Sequence, residues 1–349
     1  MKISIFGESH GPVIGINIKN PPPGILIDDD FIREELKRRA PKADGLSTAR
    51  VEADLFEFVS GVFNKRTTGA PIVGIIRNTN TISGDYERTK DLMRPSHADF
   101  VAHEKVLGFN DYRGGGHFSG RLTAAWVLGG AVAKLVLKEK GIYVGAHIKS
   151  IYDVEDLSFN PCGEDRELFE ALRKKDFPVL DDGAGEKMKQ RIRQAKDDLD
   201  SIGGVIECMG INIPLGLGGY DLDSCEGVIA RYMFAIGAVK GIEFGLGFGF
   251  KNLKGSEAND AFYMDDGVVR TKTNNNGGIN GGFTNSMPVI FRVVVKPTPS
   301  IYKEQDTINI KTRENAKLQI KGRHDPCIAH RAVPVIESAF ALALCELLY

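Results

Sequence analysis

Strand-like runs in this chain come in adjacent groups separated by long helical stretches, and that grouping constrains the fold more than any other feature. Runs that alternate apolar with small or polar residues, or that are continuously apolar, occupy 2–6, 12–18, 55–63, 71–77, 142–150, 204–213, 242–250, 288–296 and 317–321. Helical patterns predict segments at 29–40, 98–108, 119–140, 184–201, 223–236 and 327–348. A regular strand–helix alternation would give a doubly wound parallel sheet. Grouped strands predict a mixed α+β sandwich instead. Asp28, Asp29 and Asp30 suit the N-terminus of the first helix, and KEKG, ending in Gly141, suits the end of the third. The stretch 153–183 reads as a polar, irregular surface excursion. No linker-like shift divides the chain, so a single domain over 1–349 is expected.

Charge and cysteine usage exclude several classes. Lysine plus arginine total 45 and aspartate plus glutamate 46, a balance that argues against a general nucleic-acid or membrane-surface binder and leaves a local basic pocket open. No run approaches 18 uninterrupted apolar residues, so no membrane span is expected. The N-terminus reads straight into a strand without a secretory cleavage pattern. Cys162, Cys208, Cys225, Cys327 and Cys345 are widely spaced with no CxxC pair, so neither a zinc site nor a disulfide framework is expected, and a cytoplasmic location is the natural reading. Glycine, at 40 residues, is the outlier and predicts many close backbone approaches.

Five segments carry residue types suited to chemistry. GESHG (7–11) projects Ser9 and His10 from a strand end, and histidine moves protons near neutrality; a plain turn with a surface histidine accounts for it equally well. RPSHAD (94–99) sets Arg94 and His97 at a helix mouth, with Ser96 or Asp99 available as a cap. DYRGGGHFSGR (111–121) matches neither a Walker A loop nor GxGxxG, yet bare backbone at a helix mouth, Arg113, Arg121 and Ser119 suit an anionic ligand. NNNGGINGGFTN (274–285) reads locally as a hairpin loop, and the following strand ends in KPTPS (296–300), a cation with two hydroxyls. GRHDPCIAHRAVP (322–334) gathers Arg323, His324, Asp325, His330 and Arg331 before an apolar helix; a solvated charged turn is the competing account. Lys37, Arg38 and Arg39 at a helix C-terminus are favoured by the helix dipole without any ligand. Arginines, histidines, an aspartate and two glycine loops together, with no metal-ligand spacing, point to a ligand with several anionic groups and a phosphate-bearing cofactor.

These segments, with PPGI (22–25), TTGAPI (67–72) and AVKGIEFG (238–245), stand in an order that resembles chorismate synthase over nearly the whole chain. The resemblance implies a β-α-β sandwich with antiparallel sheets packed between helices, and a cytoplasmic homotetramer. It implies anti-1,4-elimination of phosphate from 5-enolpyruvylshikimate 3-phosphate to give chorismate, the last common step toward the aromatic amino acids. Reduced FMN is required with no net redox change, and NADPH is a possible reductant. By the same resemblance, His10 is similar to the acid that protonates the reduced flavin, and His97 to the acid facing the departing phosphate. Asp325 is similar to the residue that assists proton removal at C6 through flavin N5. Ser9, Arg39, Arg94, Arg121 and Arg331 look like the substrate-binding set. His117, Phe118, Ser119, Gly237, Ala238, Gly281, Lys296, Pro297, Thr298, Pro299, Ser300 and Arg323 match cofactor-contacting segments. Departures from the common pattern include Gly45 for an arginine, Ala40, His117 for an arginine, Gly120 for an alanine, Leu122 for a glutamate, Gly237 for an asparagine and Ser286 for a glycine. Lys42 is a candidate to replace the charge missing at Gly45. Two other classes fit the same inventory: an FMN-dependent reductase or oxidase, and a non-catalytic phospho-ligand binding protein.

Overall fold

Two antiparallel sheets enclose a layer of helices. The computed structural model describes residues 1–42, 45–47, 53–79, 87, 89–320 and 324–349. The first sheet joins β1 (Lys2–Gly7), β2 (Val13–Lys19), β3 (Phe56–Ser60) and β4 (Ile72–Arg77) in the order β1-β2-β4-β3. The second joins β5 (Tyr143–Ile151), β6 (Val154–Glu155), β7 (Gly204–Ile211), β8 (Val239–Phe244) and β9 (Val289–Val295) in the order β8-β9-β7-β5-β6. Every neighbouring pair is antiparallel. The period-2 pattern explains the first sheet: Ile14, Ile16, Ile18, Ile72 and Ile76 share one face and are fully buried.

Among the described residues, the helices longer than one turn are α1 (Asp29–Arg39), α2 (Asp99–Lys105), α3 (Thr123–Lys138), α4 (Arg166–Lys174), α5 (Asp182–Asp197), α6 (Cys225–Phe234) and α7 (Ala329–Leu348). Asp28 caps α1 by accepting from the backbone N–H of Asp30 and Phe31, as its sequence suggests. Helices α3 and α7 form the middle layer: α3 packs on β2 and β4, α7 on β5 and β7, and the two pack on each other. Both are apolar nearly all round because both are covered nearly all round. Two glycines in α3 set the spacing. A Cβ on Gly129 would lie 2.2 Å from Ile16 Cδ1, and one on Gly130 would lie 2.1 Å from Ser338 Cβ of α7. The apolar stretch Gly120–Lys138 has the length and composition to cross a membrane, but 83% of it is buried within the fold, as a core helix requires.

A charged quartet lies inside this layer. Arg38 of α1 donates to Glu337 Oε2 at 2.6 Å and Oε1 at 2.8 Å, and to Glu35 Oε2 at 3.0 Å. Lys134 of α3 bridges the same carboxylates at 2.7 and 2.6 Å. Glu337 also accepts from the Ala146 N–H of β5 at 3.2 Å, so one carboxylate ties three helices to the second sheet.

The structure corrects three expectations from sequence. The stretch 153–183 is not wholly irregular: α4 lies within it and drives Phe169 and Leu172 onto the far face of the second sheet, where Gly145 leaves room for the Phe169 ring. The run at 242–250 begins earlier, at Val239, and ends at Phe244 in a tight turn that continues as a 3-10 helix, Gly247–Asn252. Two hairpins went unread, Phe262–Asp265 with Val268–Thr271 and Gln305–Asn309 with Glu314–Leu318. The antiparallel sandwich itself is as expected, with helices as its middle layer and α4 outside the second sheet.

Candidate active site

A cavity of about 2080 Å³ opens beside the N-terminal end of α3. It is bounded by β1, the turn after β1, the segment 94–99, the glycine loop 114–121, the start of β8, the end of β9 and residues 324–335. Residues far apart in sequence therefore meet only through the sandwich.

The glycine loop forms the wall between two histidines. Gly114, Gly115 and Gly116 all hold positive φ, at 59°, 85° and 55°. A Cβ on Gly114 would lie 2.4 Å from His10 Cε1, and one on Gly115 would lie 3.3 Å from His97 Cε1. Consecutive bare residues thus accommodate the two imidazoles. A Cβ on Gly116 would meet Asp111 O at 2.1 Å, so the third glycine serves the loop's own turn. The loop is fixed to the turn after β1: Ser9 N–H donates to Gly116 O at 3.0 Å, and His117 Nδ1 donates to Gly7 O at 3.0 Å. Ser9 and His10 are buried. Ser119 caps the single 3-10 turn Gly120–Leu122 that leads into α3, accepting from Arg121 N–H at 3.3 Å.

Cations crowd one side. Asp54 accepts from Arg39 Nη2 at 2.6 Å and, through its other oxygen, from Arg121 Nη1. Arg121 Nε donates to Asn78 Oδ1 at 3.0 Å. Arg331 Nη1 donates to Asp325 Oδ2 at 2.7 Å, and its Nε to Arg39 O at 3.2 Å. Burial pushes the Asp54 carboxyl up, but Arg39 and Arg121 outweigh it and hold the group below its ordinary value. Burial lowers Arg39, Asp54 opposes that, and the like charges of Arg331 and Arg121 lower it further. Arg39 Nε is buried with no hydrogen-bond partner among the described residues. Three guanidiniums around two carboxylates leave an excess of positive charge that an anion would satisfy.

The opposite wall carries Arg94 and His97. Arg94 Nε and Nη2 donate to the two oxygens of Asp99 at 2.7 and 2.8 Å, and Arg94 Nη1 to Ser300 Oγ at 3.3 Å. His97 Nδ1 lies 2.6 Å from Asp99 Oδ1. Neither Ser96 nor Asp99 caps α2; the N-cap is Ala98 without a side-chain bond, and the Asp99 carboxylate turns back to these partners instead. Lys296 Nζ donates to Ser96 O at 2.6 Å, and burial lowers its pKa. Thr298 Oγ1 donates to Asp325 O at 3.0 Å, which joins the KPTPS segment to the GRHDPC segment. Ala238 holds φ at 73°, a left-handed conformation costly for a residue with a Cβ, at the cavity wall.

Most residues singled out from sequence line this one cavity. They are His10, His97 and Asp325; Ser9, Arg39, Arg94, Arg121 and Arg331; and His117, Phe118, Ser119, Gly237, Ala238, Lys296, Thr298, Pro299 and Ser300. Pro297 does not line it and serves the backbone path between Lys296 and Thr298. Gly281 does not line it either: it turns the hairpin Ile279–Asn280 with Phe283–Thr284 at φ 60°. Arg323 lies outside the described residues. Arg113 differs from expectation, because Asp111 takes its guanidinium at 2.8 and 2.9 Å away from the cavity. Lys42 is bound to Asp176 at 2.5 Å and does not line the cavity, so it does not replace charge at Gly45. His330 faces away, stacked on Phe177 with Nε2 3.1 Å from Ser47 Oγ. Sequence reasoning gave no role to Asp54 and Asn78, while His324 was singled out in the 322–334 cluster. His324 lines the cavity with Nε2 buried and unpartnered among the described residues, and burial and the Arg94 charge lower its pKa.

Comparison with known proteins gives one consistent answer. Residues 1–349 match the family model described as chorismate synthase. A chorismate synthase of Dehalococcoides mccartyi is 44% identical over 99% of this chain and 94% of its own length. One of Aeropyrum pernix is 45% identical over 99% of this chain and 90% of its own. A crystal structure of chorismate synthase superposes with a TM-score of 0.75 at 28% identity, covering 99% of this chain and 91% of that one.

Proposed function

The chain belongs to the chorismate synthase family, and from that premise we propose that its cavity eliminates phosphate from 5-enolpyruvylshikimate 3-phosphate to give chorismate, with reduced FMN bound beside the substrate. The observation that carries this reading is the single cavity in which two imidazoles stand on consecutive glycines within a cluster of guanidiniums. A substrate with one phosphate and two carboxylates calls for such an excess of cations.

The residues present fit a flavin nucleotide. The cavity, at about 2080 Å³, exceeds the roughly 300–1,000 Å³ of a typical single-ligand site, so two ligands can share it. The orphaned Nε of Arg39 asks for an acceptor. Ser119, Thr298, Ser300, Lys296 and the backbone of Gly237 and Ala238 would hold FMN, beside His117 and Phe118, with Arg323 as a further contact. When bound, reduced FMN supplies an electron-rich ring that favours departure of an allylic phosphate.

The chain's own groups then divide the remaining work. Arg39, Arg94, Arg121 and Arg331 grip the anionic groups, and the charges on the leaving phosphate are stabilised where they develop. His97 gives a proton to the departing phosphate, and His10 holds a proton on the far side of Gly114. Asp325, fixed by Arg331, assists removal of the ring proton. The burial of Ser9, His10, Arg39 and Arg121 keeps bulk water from these groups. The site draws on residues from 9 to 335, which supports one functional unit over the whole chain. We read the protein as a cytoplasmic homotetramer, with NADPH or an external reductase as the two sources of reduced flavin; the exposed apolar side chains Phe262, Met264 and Val268 of one hairpin support assembly.

The test is an anaerobic assay with reduced FMN and the phosphorylated enolpyruvyl substrate. Chorismate and phosphate are expected in equal amounts without net consumption of reductant. Reductant consumed in proportion to product would make the protein a redox enzyme, and binding without turnover would make it a non-catalytic homologue.

A further inference from the structure

We propose that Asp99 is a positioning residue for the elimination: it fixes the proton of neutral His97 on Nδ1 and so reserves Nε2, on the cavity side, as the atom that exchanges a proton. The inference rests on the role of His97 proposed above.

The geometry carries it. His97 Nδ1 lies 2.6 Å from Asp99 Oδ1 and 3.1 Å from Arg94 Nη2. Nδ1 has one position to offer, either a proton or a lone pair. A lone pair would face the carboxylate lone pairs at the shorter distance, which is repulsive. A proton there makes a charge-assisted bond to Oδ1, and Arg94 Nη2 already has its own bond to that oxygen at 2.8 Å. The proton therefore sits on Nδ1. The Asp99 carboxylate is present as an anion: burial pushes it up, but the hydrogen bonds from His97 and Arg94 outweigh burial and hold it well below the ordinary carboxylate range.

The local chain exists to make this contact. Ser96 holds φ at 58°, and His97 N–H donates to Arg94 O at 3.2 Å, which folds the ring back toward the first turn of α2. Arg94 N–H donates to Asp99 Oδ2 at 3.2 Å and pins the carboxylate in one orientation. The other edge of the ring faces Gly115: a Cβ there would stand 3.4 Å from Nε2. Nε2 carries a proton only when the ring is charged, and losing it leaves the neutral tautomer ready to take it back. The arrangement parallels a carboxylate that orients a catalytic imidazole from behind. Among the described residues, Arg94, Asp99, Lys296 on Ser96 O, and His324 beyond Arg94 are ionisable groups near the ring.

The experiment compares the parent, Asp99→Asn, His97→Gln and the double variant, each reconstituted with reduced FMN. An amide at 99 is expected to turn its oxygen to the Arg94 N–H and Nε–H that now hold Oδ2, which sets its NH₂ against Nδ1 and moves the ring proton to Nε2. Ring ¹⁵N spectra of histidine-labelled protein, with His97 assigned from His97→Gln, are expected to report the Nδ1–H tautomer in the parent and Nε2–H in Asp99→Asn. The kcat of Asp99→Asn at neutral pH is expected to fall at least ~10-fold. In the His97→Gln background, Asp99→Asn is expected to cost nothing further. An Nε2–H tautomer in the parent, or an equal loss from Asp99→Asn whether or not His97 is present, overturns the proposal. Failure of the parent to form chorismate would count against the functional reading alone, because the tautomer is read without turnover.

Discussion

Gly114 lies so close under His10 that a methyl group on the glycine would stand 2.4 Å from the imidazole Cε1 and 2.7 Å from Ser9 Oγ. At φ 59° the backbone also disfavours any residue with a Cβ. Gly114→Ala is therefore expected to displace His10 and lower kcat by ~10²-fold, with the circular dichroism of the parent retained. Gly120→Ala, where a Cβ meets nothing within 4 Å, is expected to lose far less. Equal losses in the two variants would show that the packing of His10 on Gly114 does not matter to turnover.

The two imidazoles are expected to be separately essential. His10→Ala and His97→Ala each remove a proton-transferring group and are predicted to lower turnover at least ~10²-fold while leaving the fold intact. Steady-state rates under anaerobic conditions, with thermal unfolding as the control, decide the matter; near-normal turnover in either variant contradicts its role.

Asp54 predicts a coupling between stability and anion binding. It is the shared partner of Arg39 and Arg121, so Asp54→Asn leaves two buried guanidiniums competing for a neutral group. A lower Tm is expected, and added inorganic phosphate should raise the Tm of Asp54→Asn more than that of the parent. An equal phosphate response in both would indicate that the anion binds elsewhere.

The buried quartet predicts acid sensitivity. Burial pushes Glu337 up, but Arg38 and Lys134 outweigh it and hold its carboxyl at about 2, below its ordinary 4.5. A depressed carboxyl contributes stability that is fully present above pH 4.5 and is lost as pH falls toward 2. Glu337→Gln is expected to cost about 3–5 kcal/mol at neutral pH, because it leaves the buried Arg38 and Lys134 sharing Glu35 alone as a carboxylate in the quartet, and to flatten the stability–pH curve between those values. Urea unfolding across that range measures both effects.

Much of this fold was legible because periodicity survives in long elements. The alternating isoleucines of β2 and β4 and the apolar lengths of α3 and α7 announce themselves. Short elements inside a stretch read as polar were not: α4 turns Phe169 and Leu172 inward, with Leu168 packed beside them, within nine residues. The hairpin at 262–271 turns on Asp266 and Gly267, at φ 44° and 83°, an Asp-Gly signal that was present and unused. The site was legible where a motif carries an unusual residue, as in GESHG, RPSHAD and GRHDPC. Partners that act through those residues were hidden. Asp54 looks like one acid among many until the fold sets it between Arg39 and Arg121. The adjacent Arg38 and Arg39 illustrate the limit: one belongs to the interior quartet and the other to the cavity, and only the rotation of α1 separates them.

The cavity takes residues from the first strand and from the last helix, and nothing nearer in sequence can stand in for either. A chain still being synthesised therefore has His10 and the glycine loop long before it has Asp325 and Arg331. Until α7 packs beside α3, the early half leaves the α7-facing side of α3 uncovered and holds no complete site. Maturation is thus expected to be all-or-none: a truncated product is a folding hazard rather than a partially active enzyme.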